Sequence, residues 1–210
     1  MNAHRGSPDD ADDEIDPDQH PRKLADCRRC GLWRNATQAV GGEGKRRATI
    51  MLVGEQPGDK EDLAGHPFVG PAGALLDRAL EQAGVSRDAV YITNAVKHFK
   101  WQLRGKRRMH KSPAQAEIAA CGYWLEQELD DIRPRVIIAL GATALGALVP
   151  DRKLTLEAAL GQSLLRGKTP VLVAYHPSFA LRSPDPEGRQ AAFQTIVEAL
   201  RRAGRLADKA

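Results

Sequence analysis

Residues 48–73 read ATIMLVGEQPGDKEDLAGHPFVGPAG, and this stretch decides the fold. Its first six residues, 48–53, form a short apolar run of strand length, followed a few positions later by the turn formers Pro57 and Gly58. From 72 to 83 the apolar residues Ala72, Leu75, Leu76, Ala79, Leu80 and Ala83 recur at helical spacing and make a one-sided stripe that Gly84 can terminate. The same sequence of apolar run, polar turn and helical pattern returns downstream. Further runs lie at 89–92, 136–140 and 171–174, and helical patterns at 113–129, 142–148 and 189–202, the first of these opening on Ser112 and Pro113 as N-cap and first helical residue. Alternation of this kind predicts a three-layer α/β/α domain around a short, mainly parallel four-stranded sheet covered on both faces.

Sites in such sheets gather at the carboxyl ends of the strands. That rule singles out Glu55, Asn94 and His176, each of which lies two residues beyond the end of an apolar run. A carboxylate, an amide and an imidazole suit acid–base work and recognition of a polar ring. Composition bounds the partner. Residues 1–20 hold seven acids against one base, and beyond them Lys and Arg outnumber Asp and Glu by 30 to 20. A basic body behind an acidic, apolar-poor leader (disordered over 1–23, with the domain proper at 24–205) points to a polyanion partner. Neither an apolar run of membrane-spanning length nor a signal-peptide layout is found, so a cytoplasmic protein with no membrane role is expected.

Three cysteines are too few and too odd in number for a disulfide framework. Cys27 and Cys30 are spaced to reach one metal centre, and Cys121 lies on the 113–129 helical pattern. With one histidine added, the residues alone admit a Cys₃His zinc site and an iron–sulfur cluster equally. Residues 100–111, KWQLRGKRRMHK, form a long polar loop with six basic residues and no acid, suited to phosphate contact. Trp101 at its start is expected to pack beneath it.

Taken together, GEQPGDKEDLAGHPFVGPAG (54–73), NAVK (94–97), YHPSFALR (175–182) and the Cys27–Cys30 pair resemble the motifs of the uracil-DNA glycosylase superfamily, in its iron–sulfur, family 4-like branch. The resemblance covers roughly residues 24–200. It departs from the family 4 pattern after NAVK, where His98 stands in place of a cysteine. Gln56, His98 and the KRRMHKSP segment ending near His110 resemble the UdgX-type subgroup. What this implies is a protein that flips deoxyuridine out of DNA, single strands included, and acts as a monomer. Phe68 would stack on uracil, Asn94 would read its O4/N3–H edge, His176 would donate to O2 and the Gln56 turn would assist. Glu55 would face the developing oxocarbenium ion, and His110 would attack the sugar C1′ and stay attached; in the alternative, a turnover family 4 enzyme, His110 only touches DNA and uracil and an abasic site are released. Lys97, Arg107, Ser178 and Arg182 would hold DNA, with Leu181 as a wedge. Cys27, Cys30, His98 and Cys121 would carry a 4Fe–4S cluster.

Overall fold

The computed structural model describes residues 14–151 and 153–209. The expected acidic tail falls mostly on residues 1–13, outside the described residues. The rest of that leader, 14–23, is tied to the body: the Asp16 amide donates to the Arg28 carbonyl, and the Tyr123 hydroxyl donates to the Pro21 carbonyl.

Six strands form the main sheet. β1 (Glu43–Gly44), β2 (Ile50–Gly54), β3 (Val90–Asn94), β6 (Val136–Leu140), β7 (Ser163–Arg166) and β8 (Thr169–Ala174) lie in the order β1-β3-β2-β6-β8-β7. The four inner strands run parallel, and the edge strands β1 and β7 are antiparallel. The expected four-stranded sheet is therefore the core of a six-stranded one. β1 has only two residues and β7 alternates exposed with half-buried positions, so neither carries an apolar run.

Side-chain alternation along β2 and β6 sorts the core into two layers. Ile50, Leu52, Val136 and Ile138 face α2 (Pro71–Ala83) and α7 (Pro186–Lys209), meeting Leu76, Leu80, Ile196 and Leu200. Met51, Val53, Ile137 and Ala139 face α3 (Gln115–Ile132), α4 (Ala142–Leu148) and α5 (Leu156–Ala159), meeting Leu125, Leu145 and Leu148. Helix α3 starts two residues later than Ser112–Pro113 suggested. Its first turn is held instead by the Glu117 carboxylate, which accepts from the Ala114 amide at 2.6 Å. Gly84 caps α2 as expected, in the left-handed conformation at φ 72°.

The basic segment is not a loop. β4 (Trp101–Arg104) and β5 (Arg107–His110) pair as an antiparallel hairpin closed by Gly105 at φ 62°. Positive φ at the first of two turn residues is the geometry glycine supplies in two-residue hairpins.

Candidate active site

Motif residues from five segments converge on a cleft of about 720 Å³ at the carboxyl end of the parallel strands. Glu55, Phe68, Asn94, His110, His176 and Gln56 all line it. The strand ends are locked in step: the Ala95 amide donates to the Gly54 carbonyl and the Val96 amide to the Glu55 carbonyl.

Glu55 stands at the cleft mouth, partly exposed. One carboxylate oxygen accepts from the Thr143 hydroxyl at 2.8 Å, and the other is 3.0 Å from His110 Nε2. That second oxygen is buried and the imidazole N–H is not aligned with it, so the pair is in contact without a full hydrogen bond. Burial raises the carboxyl's pKa, but His110 and Thr143, followed by the more distant His176, outweigh it and hold the group below the ordinary carboxylate value. Glu55 is thus an anion at neutral pH. Thr143, at the start of α4, gives no motif signal in the sequence; only the fold brings it to Glu55.

His176 is fixed in one tautomer. The Ser178 backbone N–H can only donate, and it points at His176 Nδ1 at 3.2 Å, with the Ser178 hydroxyl at 2.8 Å from the same nitrogen. Nδ1 is therefore the acceptor and Nε2 carries the proton. Burial depresses the imidazole's pKa to about 4, against an opposing pull from Glu55. His176 stays neutral and presents an Nε2–H donor. Ser178, expected on DNA, spends its polar groups on orienting this ring.

An unfolded chain protonates this histidine as pH falls through about 6.5, whereas the folded chain resists until about 4. The unfolded state therefore binds more protons in that window. The stability contributed is complete above pH 6.5 and drains away as pH drops toward 4. The melting temperature of the wild type relative to His176→Asn is expected to fall across that interval; parallel curves would contradict the assignment.

Phe68 and Asn94 form the floor. Phe68 is buried, holds φ at 55° and lies 5.9 Å from the His176 ring. A non-glycine residue there is strained, and the strain aims the ring into the cleft. The turn bearing it is tied by Glu61, whose buried carboxylate accepts from the amides of Gly58 at 3.1 Å and Gly70 at 2.7 Å. Asn94 is buried, and its Oδ1 has no hydrogen-bond partner among the described residues. An orphaned buried acceptor costs about 1–3 kcal/mol and marks a place where a ligand donor fits.

The hairpin is clamped to the site. Gln56 Oε1 accepts from the Lys100 amide at 3.1 Å, while its Nε2 donates to the carbonyls of Lys100 at 3.2 Å and Lys111 at 3.0 Å. Gln56 thus grips both hairpin strands. Arg108 bridges Asp59 at 2.6 Å and the buried Asp62 at 2.6 Å, and Asp62 also accepts from the Thr37 amide at 2.9 Å. These two contacts aim His110 at Glu55. Asp62→Ala is expected to lower unfolding free energy by about 1–3 kcal/mol, since it removes a fully buried carboxylate that ties the Thr37 amide and the Arg108 guanidinium to one point; denaturant titration checks it. Trp101, half-buried at the start of β4, donates to the Asn35 carbonyl at 2.8 Å and has the Arg108 guanidinium over its ring.

One expected DNA contact is overturned. Lys97 is 0% exposed and cannot reach a phosphate. Its ammonium donates to Thr93 Oγ1, the Asn94 carbonyl and Glu128 Oε2, each at 2.7 Å, so three acceptors satisfy its three protons. Arg107, Leu181 and Arg182 are exposed and stay available to DNA. His66 pairs with Glu43 and does not line the cleft.

Cys27, Cys30, His98 and Cys121 are all buried, and the three thiols are free. Cys30 and Cys121 pack with Leu32 and Val96, and the Lys97 amide donates to Cys121 Sγ at 3.3 Å. Among the described residues, no three His, Cys, Asp or Glu side chains close around one point as a single-ion site requires. A four-iron cubane takes one ligand at each corner and needs no such convergence. Three buried free thiols, with Cys27 and Cys30 near enough to act on Cys121 and Cys121 already receiving an amide hydrogen bond, fit such a cluster; His98 is buried as well, with Asp62 and Arg28 as its charged neighbours.

Comparison with known proteins agrees with this geometry. Residues 42–201 match the uracil DNA glycosylase superfamily. The chain is similar to the type-4 uracil-DNA glycosylase of Thermotoga maritima, with 38% identity over 84% of this chain and 89% of that one. Its similarity to the type-4 uracil-DNA glycosylase of Saccharolobus solfataricus is 37% over 75% and 74%. A type-5 uracil-DNA glycosylase of Pyrobaculum aerophilum is more distant, at 30% over 84% and 80%. With three-quarters of its length in that match and the motif residues gathered in one cleft, the chain belongs to the uracil-DNA glycosylase superfamily.

Proposed function

We propose that this protein is a uracil-DNA glycosylase that cuts the N-glycosidic bond of deoxyuridine in DNA and releases uracil and an abasic site. The observation that carries the reading is the unpaired Asn94 acceptor at the floor of a cleft that also holds Phe68, His176 and Glu55. Uracil offers N3–H to Asn94 Oδ1 and O4 to the amide's N–H. Cytosine has no N3 proton and would set its lone pair against that buried oxygen, a mismatch that discriminates strongly. Phe68 stacks on the extruded ring.

As the bond breaks, negative charge flows onto the base and positive charge onto the sugar. His176 Nε2–H stabilises the base at O2, as oxyanion donors do. Glu55 stabilises the sugar and accepts the proton of the water that adds to C1′. Arg107 and Arg182 hold phosphates, and Leu181 fills the gap left by the flipped nucleotide.

A second reading, of the UdgX type, is favoured by the 3.0 Å approach of His110 Nε2 to Glu55. In it Glu55 accepts the imidazole proton, Nε2 bonds to C1′ in place of water, uracil leaves with the bonding pair, and the protein stays attached. A denaturing gel of protein with uracil-containing single-stranded DNA tests both. Alkali-labile DNA accumulating beyond one equivalent of protein is the expected result. A shifted band stable to heat and SDS would establish the His110 reading, and unaltered DNA would overturn both.

We further propose that Cys27, Cys30, His98 and Cys121 hold a 4Fe–4S cluster that cross-links the N-terminal segment to α3 and the end of β3. When bound, it supplies a structural tie and no chemistry at C1′. Iron and sulfide analysis with visible absorbance checks it; purified protein is expected to be brown, and Cys121→Ala to lose both colour and stability. Zinc without iron would refute it.

A further inference from the structure

We infer that Phe179 is a stacking platform for the nucleobase next to the flipped uracil, an inference that rests on the uracil-excision reading. Its ring lies against Tyr175 at a centroid distance of 4.6 Å and an interplanar angle of 14°, nearly parallel. Both residues line the cleft, yet Phe179 is 47% exposed. One face of the ring is thus braced by a second aromatic and the other is left to solvent.

The braced ring cannot swing away. Phe179 sits within the short helix α6 (Pro177–Arg182), its amide donating to the His176 carbonyl at 2.8 Å and its carbonyl accepting from the Ser183 amide at 3.0 Å. It follows His176 by three residues, about 4.5 Å along the helix axis at ~1.5 Å per residue. With His176 on the flipped base, Phe179 stands at the exposed side of the same cleft, where the neighbouring base of the strand can reach it.

The surroundings suit a base. Leu181 is 45% exposed and Met109, on the hairpin side of the cleft, is 40% exposed, while Arg182 offers charge for the adjoining phosphate. Leu63 and Leu165 are more exposed still but stand away from the cleft and lack a stacked partner, so exposure alone does not single out Phe179. Aromatic rings stack on any base, which makes the platform tolerant of sequence and suited to single strands.

The test uses full-length protein and a single-stranded oligonucleotide carrying 2′-fluoro-2′-deoxyuridine, which resists cleavage, with 2-aminopurine placed on its 5′ or 3′ side. Wild-type protein is expected to quench 2-aminopurine at one of the two positions. Phe179→Ala is expected to abolish that quenching and weaken binding between about 5- and 100-fold, and Phe179→Trp to restore both. Equal quenching by wild type and Phe179→Ala, or equal affinity, would overturn the inference while leaving excision intact. Absence of uracil release by the wild-type protein from the matching deoxyuridine oligonucleotide would remove the excision reading itself, and the inference with it.

Discussion

Glu55→Gln is expected to slow uracil release by about 10²- to 10⁴-fold, the range spanned by lost acid–base and electrostatic assistance. The substitution keeps the shape and the Thr143 contact at 2.8 Å but removes the charge facing the sugar and the base that takes the nucleophile's proton. Because the proposed uracil contacts, Phe68, Asn94 and His176, are untouched, affinity for uncleavable uracil DNA should change little. Single-turnover rates measured beside binding constants separate the two effects. A rate within threefold of wild type would assign the chemistry elsewhere.

Gly54→Ala is expected to disable base recognition. A β-carbon at position 54 would lie 2.4 Å from Asn94 Oδ1 and 2.6 Å from the Phe68 ring. Neither neighbour can yield: Asn94 ends β3 in register with Gly54, and Phe68 already holds a strained backbone. Displacing either by about 1 Å is the scale of error that costs about 10²-fold in rate. Unlike Glu55→Gln, this variant should lose affinity for uracil DNA as well as rate. Unchanged affinity would mean that the base does not sit between these two side chains.

The two turns after β2 and β8 are legible in the sequence because each follows an apolar run and concentrates unusual residues within a few positions. Glu55, Phe68 and His176 are therefore found where the sequence places them. The support around them is not legible, since it depends on partners remote in the chain. Lys97 reads as a surface cation until Glu128, on a helix 31 residues on, is seen to cover it at 2.7 Å. Gln56 reads as a pocket residue, yet its side chain clasps the hairpin. The hairpin itself leaves little pattern: Arg107-Arg-Met-His110 has no apolar alternation and both strands are mostly exposed, so Gly105 is the one local clue. β1 and β7 escape notice because short edge strands need no apolar run.

These contacts make one assembly: β2 and β3 set Glu55 against Asn94, α6 orients His176, and the clamped hairpin brings His110 to the same carboxylate. We propose that this assembly excises uracil from DNA. Free base is the product common to attack by water and by His110, so its appearance tests the claim without prejudging the nucleophile. The measurement is chromatographic quantification of uracil released from a single-stranded oligonucleotide with one deoxyuridine, beside its deoxycytidine counterpart and the Glu55→Gln variant. The account predicts at least one uracil per protein from the first, no cytosine from the second, and release by Glu55→Gln slower by about 10²-fold or more. No uracil from the wild-type protein, or equal release by Glu55→Gln, would contradict it.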